Sequence, residues 1–338
     1  MWRRANVSLS TVSYAINGTR PISEETRARI FAAMDELGYR PNEIARSLAS
    51  KRTRILALLF PPGERGLGIT EFEFVTGATE AAHARGYHLV LWSAALNSPK
   101  ELNHLIRQGL VDGLIVMEIH LNDRRIQFLR DNAFPFSMIG RCADSTGIAF
   151  TDIDFEATMR TAVHHLAELG HRHIAFINHA QADFDAGYGP AVRAHVAFEQ
   201  VIQSAGLHGV VRFCHATPKD GYDAYQALRV QDPALTAIIS MNERVFPGLL
   251  QAIADAGLRV PHDVSLVSAI SSPRVTELMA PPLTTLAPPS LELGRLGVEL
   301  LIQQLESDPA EISQVLIPCA LVVSGSTGAC RNAQLTHA

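Results

Sequence analysis

Residues 7–18 read VSLSTVSYAING, short hydroxyl and amide side chains set among spaced apolar ones. Ser8, Ser10, Ser13, Tyr14 and Asn17 donate and accept hydrogen bonds without bringing charge. The other groupings that could do chemistry are weaker. HHLAELGHRH holds His164, His165, His171 and His173, which suggests a metal site. On a helix, however, His164 and His171 stand seven apart while His165 points elsewhere. No Cys or carboxylate there completes a tetrahedral set, so no metal is expected. Gly63, Gly66 and Gly68 of GERGLG match neither the dinucleotide-binding nor the P-loop spacing and read as a loop between a strand and its helix. There is no nucleophile elbow, kinase signature or pair of catalytic carboxylates, so neither an enzyme nor a cofactor is expected. Cys142, Cys214, Cys319 and Cys330 lack metal-type spacing and read as free thiols of a cytoplasmic protein.

The serine-rich run needs a helix to present it. Ser8 can cap that helix, Val12 and Ile16 give it an apolar face, and Asn17-Gly18 stops it. Its other face shows Leu9, Ser10, Ser13, Tyr14 and Asn17. A second helix fits SEETRARIFAAMDELG: Ser23 caps it, Glu24 and Glu25 suit its positive start, Ile30, Met34 and Leu37 form its buried stripe, and Gly38 ends it. A short third helix fits PNEIARSLASK, with Pro41 near its start and Ile44, Ala45 and Leu48 on one side.

Charge separates this head from the rest. Residues 1–54 carry ten Lys/Arg against five Asp/Glu, a net of +5, which leaves −10 for residues 55–338 within a total of −5. A basic helical head on an acidic body fits a nucleic-acid-binding module. No run of 18 apolar residues exists, so no membrane partner is expected. After Arg54 the pattern alternates. Strand-length apolar runs (ILALLF, HLVLW, GLIVM, FSMIG, HIAFIN, VVRFCH, AIISM, VSLV) are separated by amphipathic stretches such as EFVTGATEAAHARG, FEATMRTAVHHLAELG and FPGLLQAIADAG. This predicts parallel sheets flanked by helices, an α/β core. The units outnumber the strands of one ordinary open sheet, so two lobes are expected, with small-molecule sites at the carboxyl ends of the strands.

The stretch VSLSTVSYAING…ISEETRARIFAAMDELGYRPNEIARSLAS resembles the DNA-binding head of lactose-repressor-type (LacI/GalR) transcription regulators. The likeness continues through AIISMNERVFPGLLQAIADAGLRVPHDVSLVSAISSP and PPLTTLAPPSLELGRLGVELLIQQL, which look like the periplasmic-binding-protein-like core of that family. The resemblance implies a small all-α helix-turn-helix head over 1–40, its first helix incomplete. It further implies a hinge helix and linker over 41–53, an effector-binding and dimerisation core over 54–330, and a tail over 331–338. Three strands would cross between the lobes, lobe 1 spanning about 54–154 and 285–310, lobe 2 about 155–284 and 311–328.

In that likeness the first serine-rich helix is the recognition helix, entering the major groove N-terminus first. Leu9, Ser10 and Tyr14 would face base edges, while Ser8, Ser13, Asn17, Ser23 and Thr26 would contact phosphates. Asn42, Ala45, Arg46 and Leu48 would sit at the minor groove, Leu48 wedged between base steps. The expected partners are double-stranded operator DNA, a small-molecule effector and a second copy of the chain. Effector contacts would come from Phe74, Arg141, Arg193, Asn242, Glu243 and the place held by Ile270.

Three departures stand out. The family's first helix begins upstream of this Met1, and a late-assigned start is the favoured reading. Sugar-responsive relatives carry an aspartate where this chain has Ile270 and an arginine where it has Ala194, with Arg193 one step early. A carboxylate and a guanidinium at those places clamp sugar hydroxyls, so the expected effector is not an ordinary sugar, or effector control has been lost. The expected function is an effector-modulated repressor that binds a pseudo-palindromic operator as a homodimer. The alternative is a degenerate or truncated regulator that only binds a small molecule. A solute-binding protein would show a signal segment and no basic head, the reverse of this sequence. The tail RNAQLTHA has no leucine heptads, so dimers rather than tetramers are expected.

Overall fold

The structure is a computed structural model, and it describes residues 2–17, 20–38, 52–60, 68–92, 99–307 and 312–331. In the head, α1 (Leu9–Asn17) and α2 (Glu24–Glu36) pack through Ala5, Val12, Ala15, Ile30, Ala33 and Met34. Ser8 accepts the Thr11 N–H at 3.1 Å, and Ser23 accepts the Thr26 N–H at 3.3 Å. Each serine thereby satisfies a backbone donor that its helix would leave unpaired. Ahead of α1 a turn closes with Val7 N–H donating to the Trp2 carbonyl, and Arg4 pairs with Glu36 at 2.8 Å. The expected stripe is corrected at one position. Leu37 is 49% exposed because α2 has ended before it and Gly38 turns the chain away at a φ of 59°.

Two six-stranded sheets follow. The first contains β1 (Ile55–Leu59), β2 (His88–Trp92), β3 (Gly113–Val116), β4 (Phe136–Ile139), β5 (Phe150–Ile153) and β11 (Gln314–Ile317). Its order is β11-β5-β4-β3-β1-β2, every pair parallel. The second contains β6 (His173–Asn178), β7 (His208–Phe213), β8 (Ala237–Ser240), β9 (Ser265–Ala269), β10 (Thr284–Ala287) and β12 (Ala320–Val322), in the order β12-β10-β9-β8-β6-β7. Only β12 is antiparallel to its neighbour.

Helices cover the sheets: α3 (Ile69–Ala84), α4 (Pro99–Arg107), α5 (Arg124–Asp131) and α12 (Ser290–Glu306) on the first. On the second lie α6 (Phe155–Glu168), α7 (Gln181–Asp185), α8 (Gly189–Ser204), α9 (Pro218–Gln231), α10 (Phe246–Asp255) and α11 (Pro273–Thr276). Gly77 and Gly294 let α3 and α12 touch; a Cβ on either would lie about 2 Å from a carbonyl of the other helix. Interiors of strands such as β1, β3 and β8 are apolar on both faces, as parallel strands under helices must be.

The core has the two lobes of parallel sheet and helix that were expected. The chain crosses after β5, after β10 and between β11 and β12. The expected exchanges at 285 and 311 therefore move: Thr284–Ala287 completes the second sheet and Gln314–Ile317 the first. The reason is pairing, since each strand follows the edge that offers it a free ladder. Among the described residues no helix is long and apolar enough to cross a membrane. All four cysteines are free thiols.

Candidate functional sites in the head and the cleft

The head presents its polar residues outward. Leu9 is 69% exposed at the start of α1, and Ser8, Ser10, Ser13 and Ser23 are exposed while Tyr14 and Thr26 are half-buried. The Ser8 hydroxyl lies 2.7 Å from that of Ser10 and 2.8 Å from that of Thr11, forming a patch of hydroxyls at the positive end of the helix. Arg20 stacks on the Tyr14 ring at 5.2 Å. Ser23 donates to the Thr26 hydroxyl at 2.8 Å. The side chain of Asn17, and Asn42, Ala45, Arg46 and Leu48 entirely, lie outside the described residues, as do Gly63 and Gly66. Gly68 stands at the N-cap of α3, where its N–H donates to Glu71 at 2.9 Å.

Between the lobes lies a cavity of about 120 Å³, built from the carboxyl ends of strands and the starts of helices. Met117–Ile119 follow β3, Gly140 and Arg141 follow β4, Asp152 and Ile153 end β5, His179 follows β6, and Ile270 follows β9. Phe74 of α3 and Arg193 of α8 complete the walls. Beside it a second hollow is lined by Asn242, Glu243 and Ile270. All six residues singled out from the sequence therefore stand on the cleft's walls. Ala194 does not: it is fully buried in the core, because one residue along a helix is a turn of about 100°. Arg193 takes the cleft side instead.

The cleft is electrostatically unusual. Asp152 is 6% exposed, and burial pushes its carboxyl up to about 6 against the pull of Arg141 and Arg193. Arg141 Nη1 sits 3.5 Å from Asp152 Oδ2, yet neither atom has a hydrogen-bond partner among the described residues. Asn242 Nδ2 is likewise buried without one. Glu243 is also raised by burial, with Glu71 adding to the effect and the Thr70 hydroxyl, at 3.2 Å, opposing it. Ile270 holds a φ of 59°, a left-handed backbone uncommon for a β-branched residue.

The lobes also bond each other directly. Arg193 Nη2 donates to the carbonyls of Arg141 at 2.6 Å and Cys142 at 3.2 Å. Tyr188 donates to Glu118 at 2.7 Å, and Gly189 N–H to the Ile119 carbonyl at 2.9 Å. Elsewhere between the lobes Ser272 donates to Glu73 at 2.7 Å. Sequence reasoning missed Asp152, Glu118 and Tyr188. A lone charge inside FTDI was the available signal for Asp152.

Known proteins share both parts. Residues 3–42 match the family described as bacterial regulatory proteins, lacI family, and residues 163–327 match a periplasmic binding protein-like domain. The HTH-type transcriptional repressor PurR of Erwinia tasmaniensis is 31% identical over 96% of this chain and 96% of its own length. Catabolite control protein A of Staphylococcus xylosus is 28% identical over 96% of this chain and 97% of its own. Among solved structures, a transcriptional regulator CelR–cellobiose complex is 26% identical with a TM-score of 0.72, covering 96% of this chain and 98% of that one. A helical head ahead of a two-lobed core with a cleft is the build of an effector-modulated, DNA-binding transcription regulator. The chain belongs to the lacI family of bacterial regulatory proteins.

Proposed function

We propose that the protein is a repressor that binds a pseudo-palindromic operator as a homodimer, its affinity set by a small molecule in the cleft. The observation that carries this is the exposed start of α1, where Leu9, Ser10 and the Ser8 hydroxyl stand clear on a packed two-helix support. Leu9, Ser10 and Tyr14 read base edges; Ser8, Ser13, Asn17, Ser23 and Thr26 hold phosphates; Asn42, Ala45, Arg46 and Leu48 act at the minor groove, over a chain divided as 1–40, 41–53, 54–330 and 331–338. Two-fold repetition is needed because one small head makes too few base contacts for useful specificity. The protein works in the cytoplasm at the nucleoid and catalyses no reaction.

The effector is not an ordinary sugar. Ile270 and Ala194 remove the carboxylate–guanidinium clamp, and the cavity is walled by apolar groups around the Arg141–Asp152 pair. The direct bonds between lobes favour a second reading, in which the cleft is latched by the chain itself and effector control is lost. A thermal-shift screen separates the two: a non-sugar ligand that raises the transition, with the rise lost in N242A, supports the first. A large shift with a common monosaccharide defeats both.

DNA binding is tested by gel shift on the region upstream of the protein's own gene over a salt series. Specific binding should weaken steeply with salt as counterions are displaced. Equal affinity for that region and for random duplex would overturn the reading.

A further inference from the structure

The end of the second sheet away from the cleft carries a cluster with no part in the reading above. His173 opens β6 and His208 opens β7, and the parallel register sets them side by side. Their ring centroids are 4.9 Å apart. Asp232, at the end of α9, brings its buried carboxylate to a ring nitrogen of each histidine. Its Oδ2 lies 2.9 Å from His173 Nδ1 and 3.6 Å from His208 Nε2. The three potential ligand atoms lie within 4.8 Å of one another.

We propose that His173, His208 and Asp232 form a binding site for a divalent transition-metal ion of the zinc class, with solvent completing its coordination. Two imidazoles and one carboxylate are a donor set such ions accept, whereas magnesium and calcium prefer all-oxygen sites. Bond lengths near 2.0–2.1 Å in a tetrahedron put neighbouring ligand atoms about 3.3 Å apart. The two edges to Asp232 already bracket that length, and rotation of the His208 ring closes the third. That ring is free to turn, being 56% exposed on its side chain.

The carboxylate is held in place independently of the ion. Its Oδ1 accepts the Ala234 N–H at 3.1 Å, the kind of supporting bond that orients a metal-binding carboxylate. Binding replaces the His173–Asp232 hydrogen bond by two bonds to the ion. Ligation through His173 Nδ1 requires the proton that the carboxylate accepts to leave for solvent while Nε2 takes one up, so the neutral ring changes tautomer with no net proton release. Occupancy ties the first residues of β6 and β7 to the turn after α9, joining three segments of the second lobe that meet only in the folded chain.

The test uses the full chain, untagged and stripped with chelator, because it already carries 14 histidines. Titration with Zn²⁺ or Co²⁺ should show one tight equivalent, raise the thermal transition by several degrees, and give Co²⁺ the visible absorption of a low-coordinate ion. Mg²⁺ and Ca²⁺ should do none of these. D232N and H208Q should each weaken Zn²⁺ binding about tenfold or more, while H164Q leaves it unchanged. His208 is exposed, so H208Q keeps its fold and decides the matter should D232N fail to fold. No response to Zn²⁺ or Co²⁺ overturns the proposal, and a response undiminished in H208Q means an adventitious ion only and overturns it too.

Discussion

Leu9 leaves 69% of its surface exposed at the tip of the head, whereas Asp152 in the cleft leaves 6%. Leu9 and the serines of the head face water, and what holds them is backbone capping by Ser8 and Ser23 over a six-residue core. The cleft's polar side chains face one another across a low-dielectric gap. Each such exposed, uncharged contact competes with water and is weak alone, so a head of this kind depends on many contacts made together. Each cleft contact is strong and poorly screened, so a small ligand or a single substitution can shift the balance. The two regions can be broken separately.

The largest effect is expected in the head. Ile30→Asp puts a charge into its fully buried core, costing about 4 kcal/mol. Gel shift should then show no specific complex while the core's thermal transition stays in place. In the cleft, Arg193→Ala removes two bonds from one charged donor and should cost the core about 3 kcal/mol. Calorimetry reads the loss, and small-angle scattering should show the lobes parting; an unchanged transition would mean that Arg193 is not a latch.

Asp152→Asn should stabilise the core. A carboxyl raised to about 6 favours the folded state when protonated, so its contribution is full below the ordinary carboxylate range and lost as pH rises through about 6. Asn keeps the acceptor used by the Ile153 N–H and never charges. The variant should gain about 3 kcal/mol over the parent at pH 8 and almost nothing at about pH 3. His171, pulled down to about 4 by burial, acts in the opposite sense in both proteins and cancels in the difference. The smallest effect is Ser23→Ala, which strips the cap from α2 and should cost the head about 1 kcal/mol, read as weaker DNA binding with an unaltered core.

Much of this arrangement was legible in the residues. Runs such as ILALLF and AIISM are strands because both their faces are covered, and continuous apolarity reports that. FTDI, TTLA, QVLI and ALV were not read as strands. The first two carry hydroxyl or charged groups inward, which breaks the apolar run, and in TTLA the partners come only from the fold, as Thr285 donates to the carbonyls of Ser268 and Ser271. Asp152 was lost with its strand. The histidine cluster shows the same limit. Of the four histidines in HHLAELGHRH, His171 is buried against Thr236 and Ser265, while His173 meets His208 and Asp232. Those partners lie far along the chain, and adjacency in sequence pointed to the wrong neighbours.

Each passage of the chain between the sheets has at least one end on the outer two strands of one sheet edge, β5 and β11 in the first or β10 and β12 in the second, which makes a seam there. Such a seam lets the halves swing like the covers of a book while forbidding them to slide past or twist freely against each other. A protease that cut one passage would leave two cords intact, and the nicked molecule should still open and shut.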